Sequence, residues 1–240
     1  SVNNEVGTIN PIREIGKVIE RYRRVMSESL PLLHVDIAQA VPYLYVDVEK
    51  EKIDFASFSA AKMGGPKGMG ALYVRRDAVI KPLLSGGVQE HGLRPGTENV
   101  PGIVGFGKAA ELAKEERENN FKHLSSLRET FIDELVRIDH VRVNGHAKEV
   151  SPHIVNFSIK GIEAEELILR LDAENIFVSA ASACSNSSER SHVLRAMGYT
   201  EAEIKSSVRF SFGRETTKEA VTKAIEVLAR IVAELRKKNV

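Results

Sequence analysis

The chain of 240 residues contains one cysteine, no tryptophan and only 6% aromatic residues. A single cysteine, Cys184, excludes an intramolecular disulfide and fits a reducing, cytoplasmic compartment. Neither sign of charge dominates: 34 basic and 33 acidic side chains leave a net charge of +1. That balance offers nothing for nucleic acid or an anionic membrane surface. No apolar run approaches the roughly 20 residues that cross a bilayer, and no signal-peptide pattern is visible. The seven histidines show no spacing typical of a metal site. Internal repeats and low-complexity tracts are absent as well. The 42% hydrophobic content is enough for one large domain or two modest ones.

The opening "SVNNEVGTINP" reads as a loop, rich in Asn and Gly and closed by Pro11. Apolar residues then recur at helical spacing from Ile12 to Met26, among them Ile15, Val18, Ile19 and Tyr22. "LLHVDIAQAV", "IDFASFSAAK" and "ALYVRR" read as short strands separated by helix-like or long connections, which predicts a mostly parallel α/β sheet. A long loop, "LLSGGVQEHGLRPGTENVPG", precedes a long helix over about 102–138. Beyond it the pattern changes. "VRVNG", "HIVNFSIK", "IFVSA" and "VRFSFG" read as strands, "AEELILRLDAEN" and "SHVLRAMG" as helices. A final amphipathic helix runs from Thr217, with Thr216 or Thr217 as its N-cap. The change of pattern predicts two domains, 1–110 and 111–240.

Three residues stand out chemically. Lys62 follows a strand and precedes "MGGPKGMG", the position beyond a strand C-terminus where α/β sheets bind ligands. Desolvated there, a lysine becomes a usable amine toward a carbonyl carbon; solvated, it is a turn lysine, as Lys67 also reads. The turn lacks the Gly-Lys-Ser/Thr ending of a phosphate-binding P-loop. Asp36 ends a buried strand, where a carboxylate is costly unless paired, so it is a helix cap, an ion-pair member or a functional acid. A pyridoxal phosphate site needs one such acid at the pyridine nitrogen and one lysine, and Asp36 and Lys62 are 26 residues apart. Cys184 is the third. Its neighbours are small and polar (Ser179, Ser182, Ser185, Asn186, Ser187, Ser188), a poor setting for a buried structural thiol.

Six ordered stretches carry a resemblance: "NNEVGTINPI", "HVDIAQAV", "DFASFSAAKMGGPKGMGALYVRR", "GGVQEHGLRPGTENVPGIVGFG", "SASACS…SHVLRAMG" and "VRFSFGRETT". Together they resemble the C-terminal two-thirds of a cysteine desulfurase of the NifS/IscS type, within the class V, fold type I pyridoxal phosphate enzymes. The resemblance implies the aspartate aminotransferase-like α/β fold, with part of a large domain followed by a smaller C-terminal one. It implies removal of sulfur from L-cysteine, giving L-alanine and a persulfide on Cys184. Lys62 matches the lysine that holds the cofactor, and Asp36 the partner of the pyridine nitrogen. Gln39 matches the residue near the phenolic oxygen, Asn4 the asparagine beside ring and substrate, and Ser59 a phosphate-binding serine. Thr97 matches a threonine that reaches the phosphate of the neighbouring subunit of a homodimer. Arg209 matches the arginine that holds the substrate carboxylate, a task suited to its fork. Cys184 matches the catalytic cysteine of the type with a long mobile loop. The implied sulfur acceptor is an iron–sulfur scaffold or a tRNA-thiolation protein.

Some positions depart from that pattern. Ala61 stands where the family has His before the lysine, Ala181 where it has Gly, and His91 where Arg is common. The family's N-terminal third has no counterpart here, and the chain opens at Ser1 without Met. The expectation is therefore a fragment, half of a split protein or a truncated chain, with weak or no activity alone. The alternatives are a cofactor-deficient module for dimerisation and scaffold docking, or a related class V enzyme such as a selenocysteine lyase.

Overall fold

The computed structural model describes residues 1–180 and 191–238. The chain divides into two compact units: Ser1–Val2 with Asn10–Glu118, and Asn3–Ile9 with Asn119–Val240.

In the first unit, helix α1 (Ile12–Met26) has the bounds its periodicity predicts. Its apolar stripe is largely open, with Val18 68% and Val25 71% exposed. The helix is seated through Gly16 instead, where an added Cβ would lie 2.1 Å from the Glu51 carbonyl oxygen. Strands β1 (His34–Asp36), β2 (Phe55–Ser59) and β3 (Gly70–Val74) form a sheet in that order. β1 and β2 run parallel, with Asp36 opposite Ser57, whereas β2 and β3 run antiparallel. The sheet is thus mixed rather than mostly parallel. Residues 60–69 hold only a short 3-10 turn, Ala60–Met63, and parallel return needs a longer crossover. Ile53, Ala56 and Ala60 are sealed beneath the sheet, and Phe58 meets Phe106 edge-on at 5.7 Å.

Helix α2 (Val100–Leu135) leads into the second unit. There β4 (Val141–Asn144), β5 (Ile154–Ile159), β6 (Ser179–Ala180) and β7 (Ser207–Ser211) form an antiparallel sheet, order β4-β5-β7-β6. Helices α3 (Ala164–Asp172), α4 (His192–Ala196), α5 (Glu201–Lys205) and α6 (Lys218–Lys238) complete it. Every residue of β5 is buried, and its Phe157 joins Phe131 and Phe210 in an aromatic core with centroids 4.9–6.2 Å apart. Thr217 Oγ1 accepts from the Ala220 N–H at 3.1 Å, so Thr217 caps α6. The strand read in "IFVSA" is ordered only at Ser179 and Ala180, which pair with Arg209 and Val208.

Candidate active site

In the first unit the parallel β1/β2 pair sends both C-termini to one edge of the sheet. Asp36 ends β1, Ser59 ends β2, and Lys62 follows three residues later in the 3-10 turn. This is the edge at which open α/β sheets take ligands. Local geometry holds the turn: the Gly65 N–H donates to the Ala60 carbonyl at 2.9 Å, and the Ala60 N–H to Met69 at 3.0 Å. Gly64 takes a left-handed conformation (φ +77°), which an L side chain resists. At Gly65 a Cβ would sit 2.9 Å from that of Ala109, so the turn is close to the α2 backbone face.

The Asp36 carboxylate accepts from the Ala38 N–H at 2.8 Å, and the Ile37 N–H continues the ladder to the Ser57 carbonyl at 2.9 Å. Asp36 and Lys62 are both exposed, so Lys62 takes the solvated of the two alternatives and Asp36 is not a buried strand-end acid. The reason is the shortness of β1, an edge strand in which only Val35 is buried. Among the described residues the Lys62 ammonium has no hydrogen-bond or ion-pair partner. Gln39 is half-buried in the turn after β1, and Ser59 is half-buried at the end of β2. Thr97 is exposed in the loop before α2, with no side-chain hydrogen bond to Asp36, Gln39, Ser59 or Lys62.

In the second unit, Arg209 lies in the middle of β7, opposite Asn156 of β5 and Ser179 of β6. Its Nη1 donates to the Asn4 carbonyl at 2.8 Å. Its Nε is buried and has no acceptor among the described residues. A buried donor without an acceptor is costly, and a carboxylate engaging the fork would satisfy it. Asn4 is exposed within the "NNEVG" turn. The Asn3 side-chain oxygen accepts from the Glu5 and Val6 N–H groups at 2.9 and 3.0 Å, and the Gly7 N–H returns to the Asn3 carbonyl at 2.9 Å. Gly7 (φ +73°) closes this turn.

The sequence reading passed over Glu5. Its side chain is 6% exposed and accepts from the Ser191 hydroxyl, 186 residues away. No local spacing could reveal that pair. Cys184 and Ala181 lie outside the described residues. His91 is exposed with φ +58° in the turn Glu90–Gly92. Among the described residues no group of three or more His, Cys, Asp or Glu side chains could hold a metal ion, and no helix is long and apolar enough to cross a membrane.

The donor set of the first unit fits pyridoxal phosphate: a free primary amine for the aldehyde, a carboxylate for the pyridine nitrogen and a hydroxyl for the phosphate. All three come from the C-terminal edge of β1 and β2.

Comparisons with known proteins agree with one another. Residues 1–223 match the family model described as Aminotransferase class-V. The chain is 45% identical over 235 residues to the cysteine desulfurase IscS of Methanosarcina thermophila, covering 98% of this chain and 56% of that protein. It is 43% identical to the probable mitochondrial cysteine desulfurase of Schizosaccharomyces pombe, with coverages of 98% and 46%. The structure of a NifS-like protein from Rickettsia africae superposes with a TM-score of 0.87 at 31% identity, covering 97% of this chain and 60% of that one. SspA in complex with cysteine gives a TM-score of 0.67 at 34% identity, covering 88% and 56%. The chain therefore spans between 46% and 60% of the length of these proteins.

Proposed function

The chain belongs to the class V aminotransferase family, and we propose that it carries part of a pyridoxal phosphate-dependent cysteine desulfurase. The observation that carries this reading is the shared edge of β1 and β2, where Asp36 ends one strand and the Lys62 amine, without a partner among the described residues, follows the other. Two relatives named cysteine desulfurase and a solved relative in complex with cysteine support L-cysteine as the substrate.

When bound, pyridoxal phosphate supplies a protonated pyridine that withdraws electrons and makes a substrate Cα–H acidic. Asp36 would hold the group at its pyridine nitrogen, Gln39 at its phenolic oxygen and Ser59 at its phosphate, and Thr97 would serve the phosphate of the second subunit in a homodimer. The Lys62 amine would hold the aldehyde and supply the base for the substrate Cα proton. Asn4 would bind beside ring and substrate, and Arg209 would orient the substrate carboxylate. Cys184, as thiolate, attacks the substrate sulfur. The substrate's carbon–sulfur bond breaks and a sulfur–sulfur bond forms. L-Cysteine and the Cys184 thiol thus become L-alanine and the Cys184 persulfide, with atoms and electrons balanced. The persulfide passes to an iron–sulfur scaffold or a tRNA-thiolation protein in the cytoplasm. The first compact unit would be the remainder of the cofactor-binding domain and the second the small domain, the boundary falling at Glu118 rather than near residue 110 and Asn3–Ile9 belonging with the second unit.

Ala61, in place of the family's histidine, favours a second reading, a cofactor-free module for dimerisation and scaffold docking. The two readings separate in one experiment. Pyridoxal phosphate is added to the purified chain and to Lys62→Ala, and visible absorbance is recorded. A new band in the parent alone supports the enzyme. L-Cysteine then generates a persulfide that Cys184→Ser lacks, and Lys62→Ala slows turnover by about 10²–10⁴-fold. Absence of both band and persulfide in the parent leaves the module.

A further inference from the structure

Glu5 is a buried carboxylate, and among the described residues no cation pairs with it. Burying a charge without a counter-charge is unfavourable, so its hydrogen bonds must hold it in place. The Ser191 hydroxyl donates to Glu5 Oε2, while its oxygen accepts from the Leu194 N–H at 3.0 Å. One hydroxyl thus caps α4 and orients the carboxylate. On the other side the Glu5 backbone carbonyl accepts from Asn156 Nδ2 at 3.1 Å, and Asn156 Oδ1 accepts from Asn144 Nδ2 at 2.7 Å. Asn156 is the residue opposite Arg209 in the β5/β7 ladder. The preceding carbonyl, that of Asn4, is the acceptor for Arg209 Nη1. Glu5 therefore sits between two fixed points of the second unit, the start of α4 and the centre of the sheet. The carbonyl beside it is the only acceptor that Arg209 has among the described residues. The adjacent Val6 packs with Leu194, Tyr199 and Ile204, so the apolar and polar contacts of this segment share one footing.

We propose that Glu5 is a positioning residue for the substrate carboxylate: its bond to Ser191 fixes the segment whose Asn4 carbonyl aims the Arg209 guanidinium. The inference deepens the desulfurase reading and rests on Arg209 as the carboxylate anchor of that reading. Glu5 touches neither substrate nor cofactor. A hydrogen-bond acceptor at this position is required, and the charge is not. Glu5→Gln retains an acceptor for Ser191 and keeps the shape of the side chain. Glu5→Ala and Ser191→Ala each remove the link.

Two measurements on the full chain test this, one of them independent of activity. The first is hydrogen exchange by NMR at the Leu194 N–H and the Arg209 Nε–H. In Glu5→Ala the segment loosens, so the Leu194 N–H, whose acceptor Ser191 loses its own anchor, and the Arg209 Nε–H, which burial alone protects, both exchange faster by about tenfold, and Glu5→Gln restores most of the protection. The second is turnover of L-cysteine with added pyridoxal phosphate. Glu5→Ala and Ser191→Ala raise KM about tenfold with kcat changed by less than about twofold, and Glu5→Gln follows the parent. Unchanged exchange at the Arg209 Nε–H in Glu5→Ala overturns the proposal, whatever the turnover. Faster exchange with an unmoved KM also overturns it, because Glu5 is then only a brace for the fold. A parent without turnover, but with the exchange response intact, counts against this chain acting alone as a desulfurase and supports Glu5 as the residue that positions Arg209.

Discussion

Asp54 is 1% exposed and is held by three groups of the first unit. The Leu33 N–H donates to its Oδ2 at 2.6 Å, the Arg23 guanidinium binds the same oxygen, and Arg75 Nε lies 3.0 Å from Oδ1. Burial alone would push this carboxyl up, but the Arg23 hydrogen bond, the Leu33 amide and the two guanidinium charges outweigh it and hold it below the usual carboxylate range. A depressed value contributes stability that is complete above the unfolded carboxyl's pKa, about 3.9, and is lost as pH falls through the lower folded value. Asp54→Asn should therefore lower stability by about 1–3 kcal/mol at neutral pH, since it leaves the partly exposed Arg23 and Arg75 without their counter-charge and weakens a buried hydrogen-bonded site. Urea unfolding across pH 7 to 3 would show the gap between parent and variant closing at the acid end. A gap independent of pH would mean that shape and not charge sets the role of Asp54. In the sequence this residue is one acid within "IDFASFSAAK", while its partners stand 31 residues before it and 21 after. Asp36 and Lys62 were legible because a strand end and a glycine turn are local signals. Asp54, Glu5 and Ser191 were not, because each is defined by a partner that only the fold supplies.

At the scale of elements, legibility followed the length of the pattern. Helix α1 spans the 15 residues its periodicity marks, and α6 begins after the Thr217 cap read from the sequence. Two short elements behave differently. β6 holds two residues because the apolar run "IFV" before it is not paired, and Phe177 is 77% exposed. Helix α5 has only five residues, too few for an apolar period, and the sequence reading left it unassigned. Its signal was present as Thr-x-x-Glu. The Glu203 N–H donates to Thr200 Oγ1 at 3.3 Å and the Thr200 N–H to Glu203 Oε2 at 2.7 Å, a reciprocal capping box. These bonds, the Thr200 N–H first, hold the Glu203 carboxyl below its usual range. Because α5 leads directly into β7, its start helps set the register in which Arg209 faces Asn156. Thr200→Ala should cost about 1 kcal/mol in chemical denaturation, with Thr200→Ser nearly neutral. Equal losses in both variants would assign the effect to the threonine methyl instead of the cap.

At the scale of the whole molecule, each unit carries its own set of candidate residues. Asp36, Gln39, Ser59, Lys62 and Thr97 belong to the first, and Asn4 and Arg209 to the second. Each unit has its own buried cluster, around Ile53 and Ala56 in one and Phe131 and Phe157 in the other. A net charge of +1 supplies no long-range attraction for an anionic cofactor, so affinity has to come from the local donors at the β1/β2 edge. A ligand that binds only the folded form stabilises by mass action. Pyridoxal phosphate at about one hundred times its dissociation constant should therefore raise the unfolding free energy by about 2.7 kcal/mol, with the slowed exchange centred on the amides that follow β1 and β2. Lys62→Ala and Asp36→Asn should lose most of that gain with little change in the cofactor-free protein, because both side chains are exposed and Asn keeps an acceptor for the Ala38 N–H. Exchange slowed equally in the parent and in Lys62→Ala would mean that the phosphate binds at a different site. Protection confined to the β1/β2 edge would place the cofactor's chemistry on the first unit and leave recognition of the substrate carboxylate to Arg209 on the second. On that division, a variant that disturbs Glu5 would alter substrate affinity while the cofactor-induced stabilisation stays at its parental value.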